Sequence, residues 1–282
     1  MSWLTLSIIS VVTLAAANLL QRILMKDEAS NAVAYSLVFQ LTCALLVGLF
    51  ALTQGFVLPP IQKLSLNFTL TTILYAAGSL LLFRALQTTE ASKTTVLKSS
   101  STLWTIVVAL IFLGESLDIL KIAGIGLILG SIVLVSLKKD IFSFNRGDLY
   151  ILGTALCYGI AFANDAFILR QSDALSYTAI AFFLPGLLIL AIKPRTVKDM
   201  GAFLKPWVQL RMLALTTLYS TSAITVYLAY QRGGTASQLA SISQSVVILT
   251  VLLAAIFLGE REHLGRKFIA AALTTLGVLL LR

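Results

Sequence analysis

Four ionisable side chains stand inside long apolar runs: Arg22, Arg84, Lys98 and Asp165. A charge near the bilayer centre costs about 2.5–3.5 kcal/mol on insertion scales, so such residues face a cavity or pair with one another. Arg84 and Lys98 would attract a carboxylate or another anion. Asp165, the single acid well inside a run, would meet an ammonium or carry a proton. The structural alternative is a salt bridge from Asp165 to Arg84 or Lys98. Arg84 lies near the end of its run, where its stem could instead snorkel to the interface.

Uncharged polar groups surround these leads. Asn18 and Asn164 occupy similar places in the first run of each half of the chain. Ser99, Ser100, Ser101 and Thr102 follow Lys98; the corresponding stretch later in the chain holds Ser241, Ser243, Gln244 and Ser245. Such groups line a water-filled path or bond neighbouring helices. Lys98 has Ser243 as its counterpart, and that asymmetry points to binding. Trp104, Tyr158, Tyr227, Tyr230 and Gln231 are further cavity candidates. The substrate-binding set is therefore Asn18, Arg84, Lys98, Trp104, Tyr158, Asn164, Asp165, Tyr227, Gln231 and Gln244.

The elements that position these residues are set by lipid. Of the 282 residues, 58% are hydrophobic and 12% charged, against roughly 25% charged in soluble domains. The apolar runs are about 18 to 25 residues long, the length of a membrane-crossing helix. Strand-like alternation is missing, which argues against a barrel. The runs are read as ten spans: 3–24, 33–53, 68–88, 94–113 and 117–137, then 148–170, 174–192, 209–231, 236–258 and 264–282. The first run follows a start without basic residues and is read as retained.

The chain also repeats itself. Ala-Leu-Ile-Phe-Leu-Gly-Glu ends at Glu115 and Ala-Ala-Ile-Phe-Leu-Gly-Glu at Glu260, half a chain apart. At the same displacement Ala91-Ser92 matches Ala236-Ser237, and Thr105 matches Thr250. Two five-span units, 1–138 and 147–282, follow. An odd number of spans per unit turns the second upside down relative to the first. The two glutamates are read as polar stops. Gly126 and Gly130 are expected to let helices approach closely, and Pro185-Gly186 to kink its span.

The formal charge of +9 belongs to loops and says nothing of nucleic acid. Thirteen lysines and arginines fall after odd-numbered spans and five on the other side. The positive-inside rule then places both termini outside. Cys43 and Cys157 read as small buried hydrophobes.

The doubled Phe-Leu-Gly-Glu and the stretch Ala-Leu-Gln-Thr-Thr-Glu-Ala-Ser at 85–92 resemble the EamA group of the drug/metabolite transporter superfamily, over the whole chain. The resemblance implies an all-α integral membrane protein of ten helices in two inverted five-helix repeats. It implies a carrier of small metabolites, often amino acids, working by alternating access in the cell membrane. The family norm places both termini in the cytoplasm, opposite to the charge rule.

Other chemistries find little support. His263 is the single histidine, and no carboxylate cluster suits a metal. No glycine loop cradles a phosphate ahead of a lysine. No cofactor, metal or catalytic residue is expected, and energy would come from a gradient of substrate, protons or ions. The expected partners are a small-molecule substrate and the lipid bilayer; a monomer or a homodimer both fit. A lipid-handling or channel-like protein is the main alternative.

Overall fold

A computed structural model describes residues 1–26, 31–101, 103–105, 107–108, 119–138, 141–142, 145–169, 171–199, 201, 205–232 and 236–280. Eleven helices are delimited among them. In the first half these are α1 (Trp3–Met25), α2 (Ala32–Thr53), α3 (Ser65–Thr88), α4 (Ala91–Lys98) and α5 (Ile119–Ser136). In the second they are α6 (Arg146–Leu169), α7 (Ala174–Ile192), the short α8 (Thr196–Asp199), α9 (Pro206–Gln231), α10 (Ala236–Leu253) and α11 (Leu264–Leu280). A π-helical turn, Ala254–Leu258, extends α10. A two-residue antiparallel hairpin, Leu137–Lys138 with Ile141–Phe142, lies between the halves. Five helices, α1, α2, α3, α6 and α7, are long and apolar enough to cross a membrane among the described residues.

Polar residues at the run ends start these helices. The Ser2 hydroxyl accepts from the Thr5 amide, and Asn31 Oδ1 accepts from the amides of Val33 and Ala34. At α6 the capping is reciprocal. The Asp148 amide donates to Asn145 Oδ1 at 2.8 Å, and the Asn145 amide to Asp148 Oδ2 at 2.9 Å. This is a capping box built with a shorter acid, and it satisfies two amides that the helix cannot.

The most extensive packing joins helices from opposite halves: α1 with α9, α3 with α6, α2 with α7 and α5 with α11. Exchanging the halves maps this pattern onto itself. The pairing of α1 with α9 becomes that of α6 with α3, while α2–α7 and α5–α11 map onto themselves. Single bonds obey the same exchange. Ser10 Oγ donates to the Ser222 carbonyl at 3.0 Å, and Thr154 Oγ1 to the Gly78 carbonyl at 3.2 Å. The displacement is the same for both partners, from 10 to 154 and from 78 to 222.

Close approaches fall at other glycines than Gly126 and Gly130, which have open space where a Cβ would stand. The tight contact of α5 with α11 is at Gly277, where a Cβ would meet the Gly124 carbonyl and Ile128 at 2.8 Å. The face carrying Gly124 and Ile128 is buried, whereas Gly126 and Gly130 are exposed. In α7 the helix runs continuously through Pro185. Gly186 there sits against Leu41 and Gln40 of α2, so the pair fits a neighbour.

Candidate functional site

Asp165 is buried near the end of α6, with 8% of its surface exposed. Its partners come from two other helices. Oδ1 accepts from Tyr177 of α7 at 2.5 Å and from Thr71 of α3 at 3.3 Å. Oδ2 accepts from Tyr75 of α3 at 2.5 Å. The expected salt bridge to Arg84 or Lys98 is replaced by this ring of hydroxyls. The helix packing explains it: α3 lies along α6 and presents Thr71 and Tyr75 one turn apart on a single face. Asn164 extends the network. Its Nδ2 donates to Thr71 Oγ1 at 2.6 Å and to the Asn67 carbonyl at 2.8 Å, while Oδ1 accepts from Asn67 Nδ2 at 2.5 Å.

Asn18 has a different role. Its Nδ2 donates to Thr250 Oγ1 at 3.3 Å, joining α1 to α10. Thr105, the repeat counterpart of Thr250, bonds the Gly159 carbonyl of α6 at 2.9 Å. The two threonines thus tie equivalent helices, but the two asparagines differ. By the displacement that relates Ser10 to Thr154, Gln21 stands where a second Asp165 would be, and the acidic site exists in one half alone.

Lys98 closes α4 at an interruption. The Ser100 amide bonds the Leu97 carbonyl and the Leu103 amide the Ser100 carbonyl, both three residues back. This tightened turn breaks the α-helical ladder. Ser99 and Ser100 turn their hydroxyls onto the carbonyls of Val96 and Leu97. Their hydroxyl hydrogens are therefore engaged within their own helix. Lys98 is half-buried, and it makes no hydrogen bond or ion pair with the described residues.

Beyond the break, Ser101 and Trp104 pack on α6 at Gly159, where any Cβ would collide with the Ser101 carbonyl and Trp104 Cβ. Trp104 is 40% exposed. Tyr158 covers Gly78 of α3, and its ring centroid lies 5.6 Å from that of Tyr75. It also borders an aromatic cluster absent from the candidate set. In that cluster Phe39 of α2 meets Phe83 at 5.5 Å, Phe182 at 6.3 Å and Tyr219 at 5.0 Å.

Arg84 is separate from all of these. It is exposed on the stripe of α3 that also carries Leu66, Leu70 and Ile73. The side chains of Tyr227, Tyr230, Gln231, Ser241 and Gln244 lie outside the described residues, as do Thr102 and Glu115.

The second Phe-Leu-Gly-Glu ends in a helix cap made across the halves. Gly259 adopts φ +69° after the π-helical turn, a left-handed conformation suited to glycine. It delivers Glu260 to the start of α4. There Oε1 accepts from the Ala91 amide at 3.0 Å, and Oε2 accepts from the Ser92 amide at 3.1 Å and its hydroxyl at 2.7 Å. A carboxylate on free amides at a helix N-terminus is favoured by the helix dipole. Glu90 pairs with Lys267 at 2.5 Å, Lys93 with Asp148 at 2.7 Å, and Arg22 donates to the Leu86 carbonyl. The residues expected to be polar stops therefore include a real fastening. Arg22 is thereby tied to the end of α3, close to this fastening.

The groove between α2 and α7, of about 570 Å³, is lined by apolar side chains from Leu41 to Phe183. It offers a polar solute nothing to bind.

A model of the EamA-like transporter family matches residues 1–137 and again residues 145–282. Comparison with curated proteins gives no match. A crystal structure of another protein, 17% identical in sequence, superposes with a TM-score of 0.62 over 98% of this chain and 93% of that one. At that identity the likeness concerns the fold.

Proposed function

Because the chain belongs to the EamA-like transporter family, we propose that it is a secondary carrier of small amphipathic metabolites, amino acids or their relatives, working by alternating access. The observation that carries this reading is the exchange symmetry of the helix pairs, supported at Ser10–Ser222 and Thr154–Gly78. Two such units, 1–138 and 147–282, with five spans each, would be inverted. Inverted units rocking about a shared interface expose a midplane site to each side in turn.

The solute end of the proposal rests on Lys98. A half-buried ammonium without a partner among the described residues, at a break in a membrane helix, is suited to an anionic group of a passing solute. Broken helices build the sites of many carriers. Trp104 and Tyr158, on either side of Gly159, would supply apolar surface to the rest of the molecule.

The test is counterflow in proteoliposomes loaded with one solute and assayed with a labelled panel of amino acids and related carboxylates. Saturable exchange is expected, with at least about tenfold loss in Lys98→Gln, as for a lost charge pair worth about 2–5 kcal/mol. Unsaturable flux would favour a channel, and lipid movement without solute exchange would favour a lipid-handling protein.

A further inference from the structure

We propose that Asp165 is the proton-carrying group of this protein, a reading that rests on the carrier function and gives its driving force a location. The carboxylate is buried, and the groups bonded to it are all hydroxyls: Thr71 and Tyr75 from α3, and Tyr177 from α7. Nothing in this ring offsets its charge. A buried carboxylate without a cation is costly, and a group so placed gains a compensating cation or neutralises.

Among the described residues, the other charged groups bordering this end of the bundle are engaged or outside; Arg170, which follows α6, lies outside the described residues. Asp173 caps α7, accepting from the amide and hydroxyl of Ser176. Lys63, ahead of α3, is exposed. From α4, which also packs on α6, Lys93 is paired with Asp148. Lys98 lies beyond Ser101 from this site, and Ser101 is level with Gly159, about 9 Å of helix rise before Asp165. Tyr158 meets Tyr75 through its ring and not the carboxylate.

The geometry selects a proton over a larger cation. Three hydroxyls already converge on the two oxygens at hydrogen-bond distance, so an ammonium or metal ion would have to displace them. A proton adds without displacement: it bonds to Oδ2, the new O–H donates to Tyr75 Oη, and the tyrosine hydrogen turns away. No covalent bond between heavy atoms changes. A polar approach exists as well. Asn67, half-buried in the first turn of α3, leads through Asn164 and Thr71 to Oδ1 by consecutive hydrogen bonds. Asp165 is itself within about 6 Å of helix rise of the end of α6.

The experiment has two arms. Infrared difference spectra of the purified protein against pH are expected to show a protonated carboxyl C=O band that is absent in Asp165→Asn. Tyr177→Phe, which deletes one hydrogen bond to the group, is expected to displace that band. A wild-type protein without a titrating band, a band that survives in Asp165→Asn, or one unmoved by both Tyr177→Phe and Tyr75→Phe overturns the assignment. In liposomes, Asp165→Asn is expected to lose accumulation driven by a pH gradient. Accumulation by Asp165→Asn under that gradient, or wild-type accumulation driven by sodium alone, also overturns it. Absence of counterflow in the wild type sinks the carrier function instead and leaves the infrared arm to decide the proton site. Should Asp165→Asn fail to fold, the wild-type titration and the two tyrosine variants still decide.

Discussion

The hydroxyl of Thr154 donates to the main-chain carbonyl of Gly78 at 3.2 Å. The same bond joins Ser10 to Ser222 in the exchanged position at 3.0 Å. Interhelical hydrogen bonds in membranes average about 0.6 kcal/mol. Ser10→Ala and Thr154→Val are therefore expected to lower stability by similar small amounts, each about 0.6 kcal/mol. Reversible unfolding in mixed micelles measures both. A gap of more than about 1.5 kcal/mol, near the largest such bond value, would show that the two positions are not equivalent.

Gly78 and Gly126 make opposite predictions. A side chain on Gly78 meets the Tyr158 ring and Cys157, whereas one on Gly126 meets nothing within 4 Å. Gly78→Leu is expected to cost at least about 1–3 kcal/mol through overpacking. Gly126→Leu should stay within about 0.5 kcal/mol of wild type. Melting temperatures of the two variants in detergent compare them directly, and equal losses would remove the packing face assigned to α5.

Glu260→Ala removes the acceptor of three donors at the start of α4. Unsatisfied buried donors cost about 1–3 kcal/mol, so a loss of about 3 kcal/mol is expected. Glu260→Gln retains one acceptor oxygen and should lose less. A neutral Glu260→Ala in thermal unfolding would mean that the cap contributes nothing.

Arg84→Gln is expected to leave transport within about twofold of wild type, because Arg84 shares an exposed stripe with leucines and an isoleucine. Lys98→Gln is the contrasting variant. Initial rates in the counterflow assay, normalised to protein in the liposomes, separate the two. A large loss in Arg84→Gln would return that residue to the solute path.

Charge in the loops predicts where the ends of the chain lie. With the basic loops in the cytoplasm, a reporter fused after Arg282 should be active only if it folds outside. Activity confined to a cytoplasmic reporter would favour the family norm.

The helices were legible because apolar run length reports directly on bilayer thickness. The expected span 174–192 is α7 to the residue, and 33–53 differs from α2 by one. The partners of Asp165 were not legible. Nothing in the sequence sets Tyr75 and Tyr177 apart from other tyrosines in apolar runs, and only the register of α3 and α7 against α6 aims their hydroxyls at one carboxylate. Gly126 and Gly130 fit a close-approach spacing, yet spacing cannot say which face of α5 meets α11. The repeat itself carried more than its motif suggested. The Glu260 cap joins it to Ala91-Ser92, a dipeptide that the sequence also writes twice.

That cap sets an order of events during synthesis. The amides that open α4 emerge from the ribosome early, but their acceptor is residue 260 of 282. The first half must therefore wait in the membrane, with an unfinished helix start, until the second half has been made as far as Glu260. A chain released before that point would expose the defect to cellular quality control, whereas one that has passed it conceals the defect.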